Sequence, residues 1–422
     1  MVKAEPLVME QLSYNRYLPI VLLYFFFNGV FLPLGLLYTT ILAPFFIVWL
    51  YKHHAAREIL YFFPFMLPFA IVHFINGVNE YFYVRSFFLL LATYIFVLAF
   101  RQFLKLCHSL RTLYKNILLI NAVLVVVALI ALLIPYLTST FWYANEITSG
   151  VAGIKRLQML TYEPSYYSTL LAPIALYYYL KIILKKLPNV YAFLLLVTIP
   201  LLLSLSFGVI LGIALSMLFT ILSGFKTFFP GKNLALYLII SGIVVLVSLI
   251  VFIQVFPDNV FVIRLNNVLS GRDTSFRGRT TDSFFLGWAI AEKKNLLFGA
   301  GLGQVKEIGL PFFNDFYNYE FKIEEIAIPN SLGDTLATFG LIGVIIRLGA
   351  EVFLFFRTRV YSNYYRLNLF LFIFIYQFTG SFLTNIAEYV IWILAFHRGL
   401  FPEFNRDSLR TKTILKPFKD PQ

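Results

Sequence analysis

One short segment combines a carboxylate with several aromatic side chains: Leu160-Thr161-Tyr162-Glu163-Pro164-Ser165-Tyr166-Tyr167-Ser168. Glu163 stands directly before a predicted helix, because proline suits the first helical position. A carboxylate held against a reacting hydroxyl can act as a general base. A carboxylate at a helix N-terminus can equally serve only to stabilise the helix dipole. Lys155 and Arg156 lie close by in sequence, and both interpretations of Glu163 stay open.

Four arginines crowd a later stretch: Arg264, Arg272, Arg277 and Arg279. Arginine remains charged and forms bidentate hydrogen bonds to phosphate. The cluster therefore predicts a site for an anionic group such as a pyrophosphate. For any single arginine, solvated loop charge is the alternative interpretation.

A helix and a glycine cluster follow the arginines. Thr281 or Asp282 can cap a helix that runs on to Gly299, and its aromatic face fits either a membrane interface or the top of a helix bundle. The cluster Gly299-Ala300-Gly301-Leu302-Gly303 lacks the lysine and the strand of a nucleotide-binding loop. It favours a tight turn.

Several chemistries lack the residues that they need. The five histidines are His53, His54, His73, His108 and His397, and none falls in the two long polar segments. There is no Asp-x-Asp pair and no Walker motif, and Cys107 is the single cysteine. We expect no metal, no cofactor and no serine hydrolase triad in those segments.

The elements that must position these residues are membrane helices. Of 422 residues, 60% are hydrophobic and 13% are charged, and the mean hydropathy is +0.80. A spanning helix needs about 20 apolar residues. Twelve spans are predicted, near 18–31, 34–51, 59–75, 84–100, 114–134, 166–184, 190–204, 208–222, 234–256, 332–356, 367–380 and 385–400.

Charge supports this division independently. With both termini inside, every inner segment is basic and the short outer loops carry almost no lysine or arginine, which is the positive-inside pattern. The net charge of +13 thus reflects topology, and no nucleic-acid partner is expected. Three regions follow: 1–256 with spans one to nine and an outer loop at 135–165, the large outer loop 257–330, and 331–422 with spans ten to twelve and a basic cytoplasmic tail.

Two charged residues fall within the tenth predicted span. Arg347 and Glu351 are one helical turn apart, toward its inner end. An ionisable residue inside a membrane is a functional candidate by default. Pairing with each other, or extension of the side chains to the interface, is the preferred interpretation here.

Taken together, the motifs resemble one family. Tyr162-Glu163-Pro164-Ser165-Tyr166-Tyr167 resembles the Glu-Pro-Ser motif of O-antigen and capsule repeat-unit polymerases, and Leu203–Gly208 is similar to their Ser-rich span start. Arg279–Gly303 resembles their arginine, helix and Gly-x-Gly turn. Ile328–Leu332 followed by Phe339–Gly343 resembles the Asn-Ser and Gly-Leu-x-Gly start of a late span. The likeness covers roughly 155–350.

The resemblance implies an all-α, GT-C-like glycosyltransferase of the bacterial inner membrane, independent of metals. Its substrates would be undecaprenyl-pyrophosphate-linked oligosaccharides, joined in an inverting transfer, with a flippase and a chain-length regulator as expected partners. Glu163 and Arg279 would be catalytic. Substrate-binding roles fall to Arg156, Tyr162, Tyr166, Tyr167, Arg264, Arg272, Arg277 and Asn330.

Two alternatives stay open. An O-antigen ligase typically has a histidine before the Asn-Ser pair, where this chain has Pro329. A transporter, such as a flippase for lipid-linked sugars, would show internal repeats more readily than a large outer loop.

The topology makes the first prediction. Cysteine introduced near Asn318 should react with a membrane-impermeant reagent from the outside, because charge places 257–330 there. Cysteine in the C-terminal tail should be protected. Protection near Asn318 together with reaction at the tail would overturn this topology.

Overall fold

The chain folds into helices joined by short turns. The computed structural model describes residues 18–33, 36–107, 110–144, 155–228, 247, 251, 253–256 and 258–409. The helices before the large outer loop are α1 (Leu18–Phe27), α2 (Tyr38–Ile41), α3 (Ala43–Lys52), α4 (Phe62–Ile75), α5 (Glu80–Leu106), α6 (Leu110–Ala131), α7 (Pro135–Phe141), α8 (Pro164–Ile183), α9 (Val190–Ser204), α10 (Phe207–Ser223) and α11 (Phe225–Phe228). The later helices are α12 (Val260–Leu269), α13 (Thr274–Arg279), α14 (Thr281–Lys294), α15 (Val305–Tyr317), α16 (Ser331–Arg357), α17 (Tyr364–Tyr376) and α18 (Ile386–Phe396). The strands β1 (Trp142–Tyr143) and β2 (Arg156–Leu157) form one antiparallel pair.

Four helical segments in the described part of the chain are long and apolar enough to cross a membrane. They are Ala56–Ile75, which joins a 3₁₀ turn to α4, then α5, α6 and α16. Six further apolar helices are shorter, from 10 to 17 residues. These segments establish an all-α membrane protein. Most of the predicted ninth span, 234–256, lies outside the described residues.

Cross-contacts show that α8, α9 and α10 alternate in direction. At one end of the bundle, Ser168 near the start of α8 donates to Ser204 at the end of α9 (3.0 Å). At the other end, Lys186 just after α8 donates to the Glu403 carbonyl (2.8 Å). We call these the site end and the basic end. Leu205 adopts a left-handed conformation (φ 47°) that ends α9, so the predicted division near Ser204 and Gly208 is confirmed.

Much of the described part of 257–330, the segment predicted as the large outer loop, is helical and packs on the bundle. α14 buries Leu286, Gly287 and Ile290 while Phe285 stays 67% exposed, so one face packs and the other is open. A Cβ on Gly287 would lie 2.8 Å from the Gly333 carbonyl oxygen, which shows how closely α14 approaches α16. α14 ends at Lys294, earlier than the predicted Gly299, because Asn295 is extended (φ −159°).

The helix α16 is broken at Gly340, whose backbone (φ 65°, ψ −164°) is not helical. The segment 296–301 lies in the break and supplies backbone partners on both sides. Four hydrogen bonds join them: Ala300 to Ala337 (2.8 Å), Gly301 to Thr338 (3.1 Å), Leu341 to Leu296 (3.0 Å) and Ile342 to Leu297 (3.0 Å), with the N–H named first. The predicted tight turn at 299–303 is confirmed, with three glycines at positive φ.

Glycine is required where the two segments touch. A Cβ on Gly299 would lie 2.4 Å from the Thr338 backbone, and a Cβ on Gly340 would lie 2.4 Å from the Leu297 carbonyl oxygen. Contacts this short displace backbone, so the break and the segment that fills it depend on both glycines.

Gly299→Ala should therefore lower the free energy of unfolding by more than the backbone strain alone, which is about 1–2 kcal/mol. Gly271→Ala is the matched control, because Gly271 has φ +69° but nothing within 4 Å of its added Cβ. Thermal unfolding of both purified variants measures the difference. Equal shifts would show that the contact with α16 contributes nothing.

Candidate functional site

Glu163 lies at the site end, immediately before α8. Its backbone is extended (φ −157°, ψ 155°), and its side chain caps no backbone N–H of the helix. The Ser165 hydroxyl instead donates to the Glu163 carboxylate. Because no backbone N–H of α8 donates to this carboxylate, Glu163 does not cap the helix in the usual geometry.

Arg279 is the last residue of α13, and Asn330 holds it through its backbone carbonyl. The Asn330 amide donates to the Arg279 carbonyl oxygen (2.9 Å) and to the Phe378 carbonyl, while its side-chain oxygen accepts the N–H groups of Leu332 (3.1 Å) and Gly333 (2.8 Å). Asn330 is thus fully used and has no exposed surface. In this structure Asn330 caps α16 and holds the Arg279 backbone, so its predicted role in binding substrate stays a prediction.

Tyr376 lies within electrostatic range of both predicted catalytic residues, Glu163 and Arg279. This tyrosine ends α17 and is 3% exposed, and Thr169 of α8 is its hydrogen-bond partner. Arg279 comes near the end of α17 through its backbone, because Asn330 donates to both the Arg279 and the Phe378 carbonyl oxygens. The residue Arg279 is only partly buried, and its guanidinium has no hydrogen bond or ion pair within the described part of the chain.

Of the three predicted sugar-stacking tyrosines, Tyr166 and Tyr167 are buried inside the bundle and Tyr162 is partly buried. Tyr166 and Tyr167 are each 2% exposed; the Tyr166 hydroxyl accepts from Asn28 (3.2 Å) and the Tyr167 hydroxyl donates to Asn121 (2.8 Å). Neither ring offers a face to a sugar in this structure. Tyr162 packs on Tyr166 with ring centroids 4.6 Å apart. Burial, together with the nearby Glu163 carboxylate, raises the pKa of the Tyr162 phenol, which keeps its proton.

The remaining arginines occupy different surroundings. Arg156 donates to the Ser204 carbonyl (3.2 Å) and so ties β2 to the end of α9. Arg277 pairs with the buried Asp282 (3.5 Å), and this carboxylate also accepts from Tyr317 (3.2 Å). Burial and Asp282 raise the pKa of Tyr317 to about 12. Arg272 is exposed, and the Arg264 side chain lies outside the described residues.

A buried charge network lies behind this region. Arg347 pairs with Glu351 (3.3 Å), which confirms the predicted contact, and it also pairs with Glu388 of α18. The same guanidinium donates to Gln377 (3.0 Å) and to both the backbone and the side chain of Ser331. The prediction that Arg347 lies toward the inner end is wrong, because the break at Gly340 brings it back to Ser331 at the start of α16.

Sequence reasoning missed the partners of Arg347. Glu388 is a lone acidic residue within an apolar run, and it accepts from the Ser381 hydroxyl (2.5 Å) as well. Gln377 donates to Glu351 (2.8 Å) and closes the network. An acidic residue in a predicted span was the available signal, since such residues seldom lie there without a partner.

No protein-family model matches the chain, and no curated protein matches it.

The network predicts that replacing Arg347 destabilises the protein far more than replacing an exposed arginine of the same helix. Arg347→Met should lower the free energy of unfolding by about 3–5 kcal/mol, because two buried carboxylates lose their cation. Arg357→Met is the control, since Arg357 is exposed on the same helix; a change within about 0.5 kcal/mol is expected there. Denaturant unfolding of purified protein measures both.

A double variant separates charge from packing. Arg347→Met with Glu388→Gln should be less destabilised than Arg347→Met alone, because one uncompensated charge is gone. Wild-type stability of the single Arg347→Met variant would contradict the network.

Proposed function

We propose that the protein joins lipid-linked oligosaccharide repeat units by glycosyl transfer at the outer face of a bacterial inner membrane. The observation that carries the proposal is that Glu163 and Arg279, from separate segments of the chain, both lie within electrostatic range of Tyr376, and that Asn330 ties the Arg279 backbone to Phe378, two residues after this tyrosine. The motifs around both residues resemble those of repeat-unit polymerases. A base and a phosphate-binding cation are the two groups that such a transfer needs.

The transfer is a displacement at the anomeric carbon of the donor sugar. The acceptor hydroxyl oxygen forms a bond to that carbon while the carbon–oxygen bond to the pyrophosphate breaks. Glu163 takes the proton of the acceptor hydroxyl. Arg279 stabilises the negative charge that develops on the leaving pyrophosphate, and its free guanidinium has donors for two phosphate oxygens. This scheme needs no metal.

The proposed setting is a bundle of about twelve spans with both termini inside. Charge alternation along the sequence supports it, as does the alternating direction of α8, α9 and α10. In this arrangement the site end faces outward, where lipid-linked repeat units are presented, and the basic end faces the cytoplasm. The undecaprenyl carrier and a GT-C-like class belong to the same proposal, on the resemblance.

A transporter of lipid-linked sugars is the second candidate. The observation that favours it is the broken helix α16 with the charged Arg347 network beside the break. Broken helices with polar groups near the middle of the membrane are typical of transporters.

Glu163→Gln tests the polymerase. Turnover should fall by about 100-fold or more, because the variant keeps its shape but cannot take a proton. Stability should change by about 1 kcal/mol or less, since the carboxylate caps no backbone group. Polymer ladders formed by purified protein from lipid-linked repeat units give turnover, and binding of the lipid donor is measured alongside.

Glu58→Gln is the matched control. Glu58 is a carboxylate paired with Arg101 (2.6 Å), and it lies in the 3₁₀ turn Ala56–Tyr61 that precedes α4. It should leave polymerisation unchanged. Near-normal ladders from Glu163→Gln would make Glu163 structural. Movement of the lipid across vesicles without any ladder, in the unaltered protein, would replace the polymerase with the transporter.

A further inference from the structure

A large cavity lies between four helices, apart from Glu163 and Arg279, neither of which lines it. It is bounded by α4, α5, α16 and α18 and has a volume of about 600 Å³. This volume falls within the range of about 300–1,000 Å³ that ligand sites occupy. Its walls are mainly aromatic and aliphatic, with Phe62, Met66 and Phe69 on one side and Trp392 on another.

The polar groups at the wall are already used. Arg347 reaches the cavity, but its Nε donates to Glu351 and Gln377, one terminal nitrogen donates to Ser331 and Thr335 (3.0 Å), and the other donates to Ser331 and Glu388. A guanidinium has five N–H donors, so none is left for a ligand. Because the charge is neutralised inside the wall, the cavity presents an apolar surface.

The mouth of the cavity is formed by apolar side chains on the outside of the bundle. Tyr61 is 62% exposed, Phe65 is 51% exposed and Ile346 is 39% exposed. Two of the bounding helices, α5 and α16, and the segment containing α4 are those long enough to cross a membrane. The surroundings of this mouth are therefore hydrocarbon chains, for which burial in an apolar cavity is favourable.

We propose that the cavity is a binding site for one long hydrocarbon chain of a membrane lipid. An apolar cavity stays free of water and takes up apolar molecules, and this one opens toward hydrocarbon. A linear chain fits a space lined by rings and closed at its polar wall. The chain enters between α4 and α16 and lies against Phe69, Phe339 and Trp392.

The cavity shares one wall with the candidate site. The first part of α16, from Ser331 to the break at Gly340, places Thr335 and Phe339 in the cavity wall. Asn330, at the start of the same half-helix, holds the Arg279 carbonyl (2.9 Å). Nine helical residues span about 13 Å. One half-helix thus carries both part of the cavity wall and the residue that holds the Arg279 backbone, although chain binding does not require glycosyl transfer.

Photo-crosslinking in phosphatidylcholine nanodiscs tests the proposal on the full chain. The probes are a diazirine-bearing polyprenyl phosphate and a phosphatidylcholine with a diazirine in one acyl chain, each competed by its unlabelled counterpart. Peptide mass spectrometry should find saturable, competed labelling in 61–69, 90–97 and 346–354. Saturation by the first probe alone assigns a prenyl chain, and saturation by the second alone assigns an acyl chain.

Ala350→Trp should reduce the saturable labelling by about tenfold, since loss of two buried methylenes already gives that factor. Val352→Trp, on the same helix but outside the cavity, should leave it unchanged. Val97→Trp narrows the cavity from α5 and replaces Ala350→Trp if that variant does not fold.

Labelling that does not saturate, and that equals labelling at the exposed Val123 of α6, would show bulk lipid only and overturn the proposal. Unchanged labelling in Ala350→Trp and Val97→Trp would overturn it as well. Saturable labelling in a protein that forms no polymer would support the cavity while removing the polymerase.

Discussion

The fold depends on how the break in α16 is filled. A helix interrupted inside a membrane leaves N–H and C=O groups that water cannot satisfy, and each costs several kcal/mol if it stays unpaired. Here the segment 296–301 supplies four backbone hydrogen bonds, two on each side of Gly340. The stretch that follows α14 is thus built into the helix bundle. The segment 258–330 and the long apolar helices therefore form one structure.

The segment 296–301 and the three residues after it also contact the neighbouring helices α4 and α5. His73 of α4 bonds to the Phe298 carbonyl (2.7 Å), and the Gln304 amide donates to the Asn79 carbonyl (3.0 Å) just before α5. A Cβ on Gly303 would lie 2.3 Å from the Phe82 carbonyl oxygen. The short spacing of the three glycines follows from this arrangement, because a backbone without side chains has to pass between α5 and α16. The glycines serve packing and not phosphate.

Local patterns predicted an all-α membrane protein, the division at Ser204–Gly208 and the turn at 299–303, because each depends on neighbouring residues. They did not predict the lengths of the helices, since four helical segments of the described chain, and not twelve, are long enough to span a membrane. The break in α16 could not be predicted, since Gly340 stands in an apolar run that also fits an unbroken span and only the distant segment 296–301 stabilises the bend. Without the break, Arg347 was expected near the basic end, whereas it lies beside Ser331 at the start of α16. The positions of Glu163 and Arg279 were predicted as sequence features, while their approach to Tyr376 needs three separate helices and has no local signal.

Donor counting separates the two kinds of arginine in this protein. Arg347 and Arg366 look most functional by position, because both are charged residues in apolar helices. Arg366 is nevertheless committed to the Ala395 carbonyl (2.9 Å) and to Thr358, and Arg347 has all five donors engaged. Neither can bind a substrate without breaking a contact that holds helices together. Arg279 is the reverse case: its backbone is fixed through Asn330, its guanidinium is uncommitted among the described residues, and so its position is rigid while its charge is available. An arginine that binds an anion benefits from a fixed backbone and an unpaired guanidinium. The fixed backbone reduces the cost of ordering the side chain before the ligand arrives.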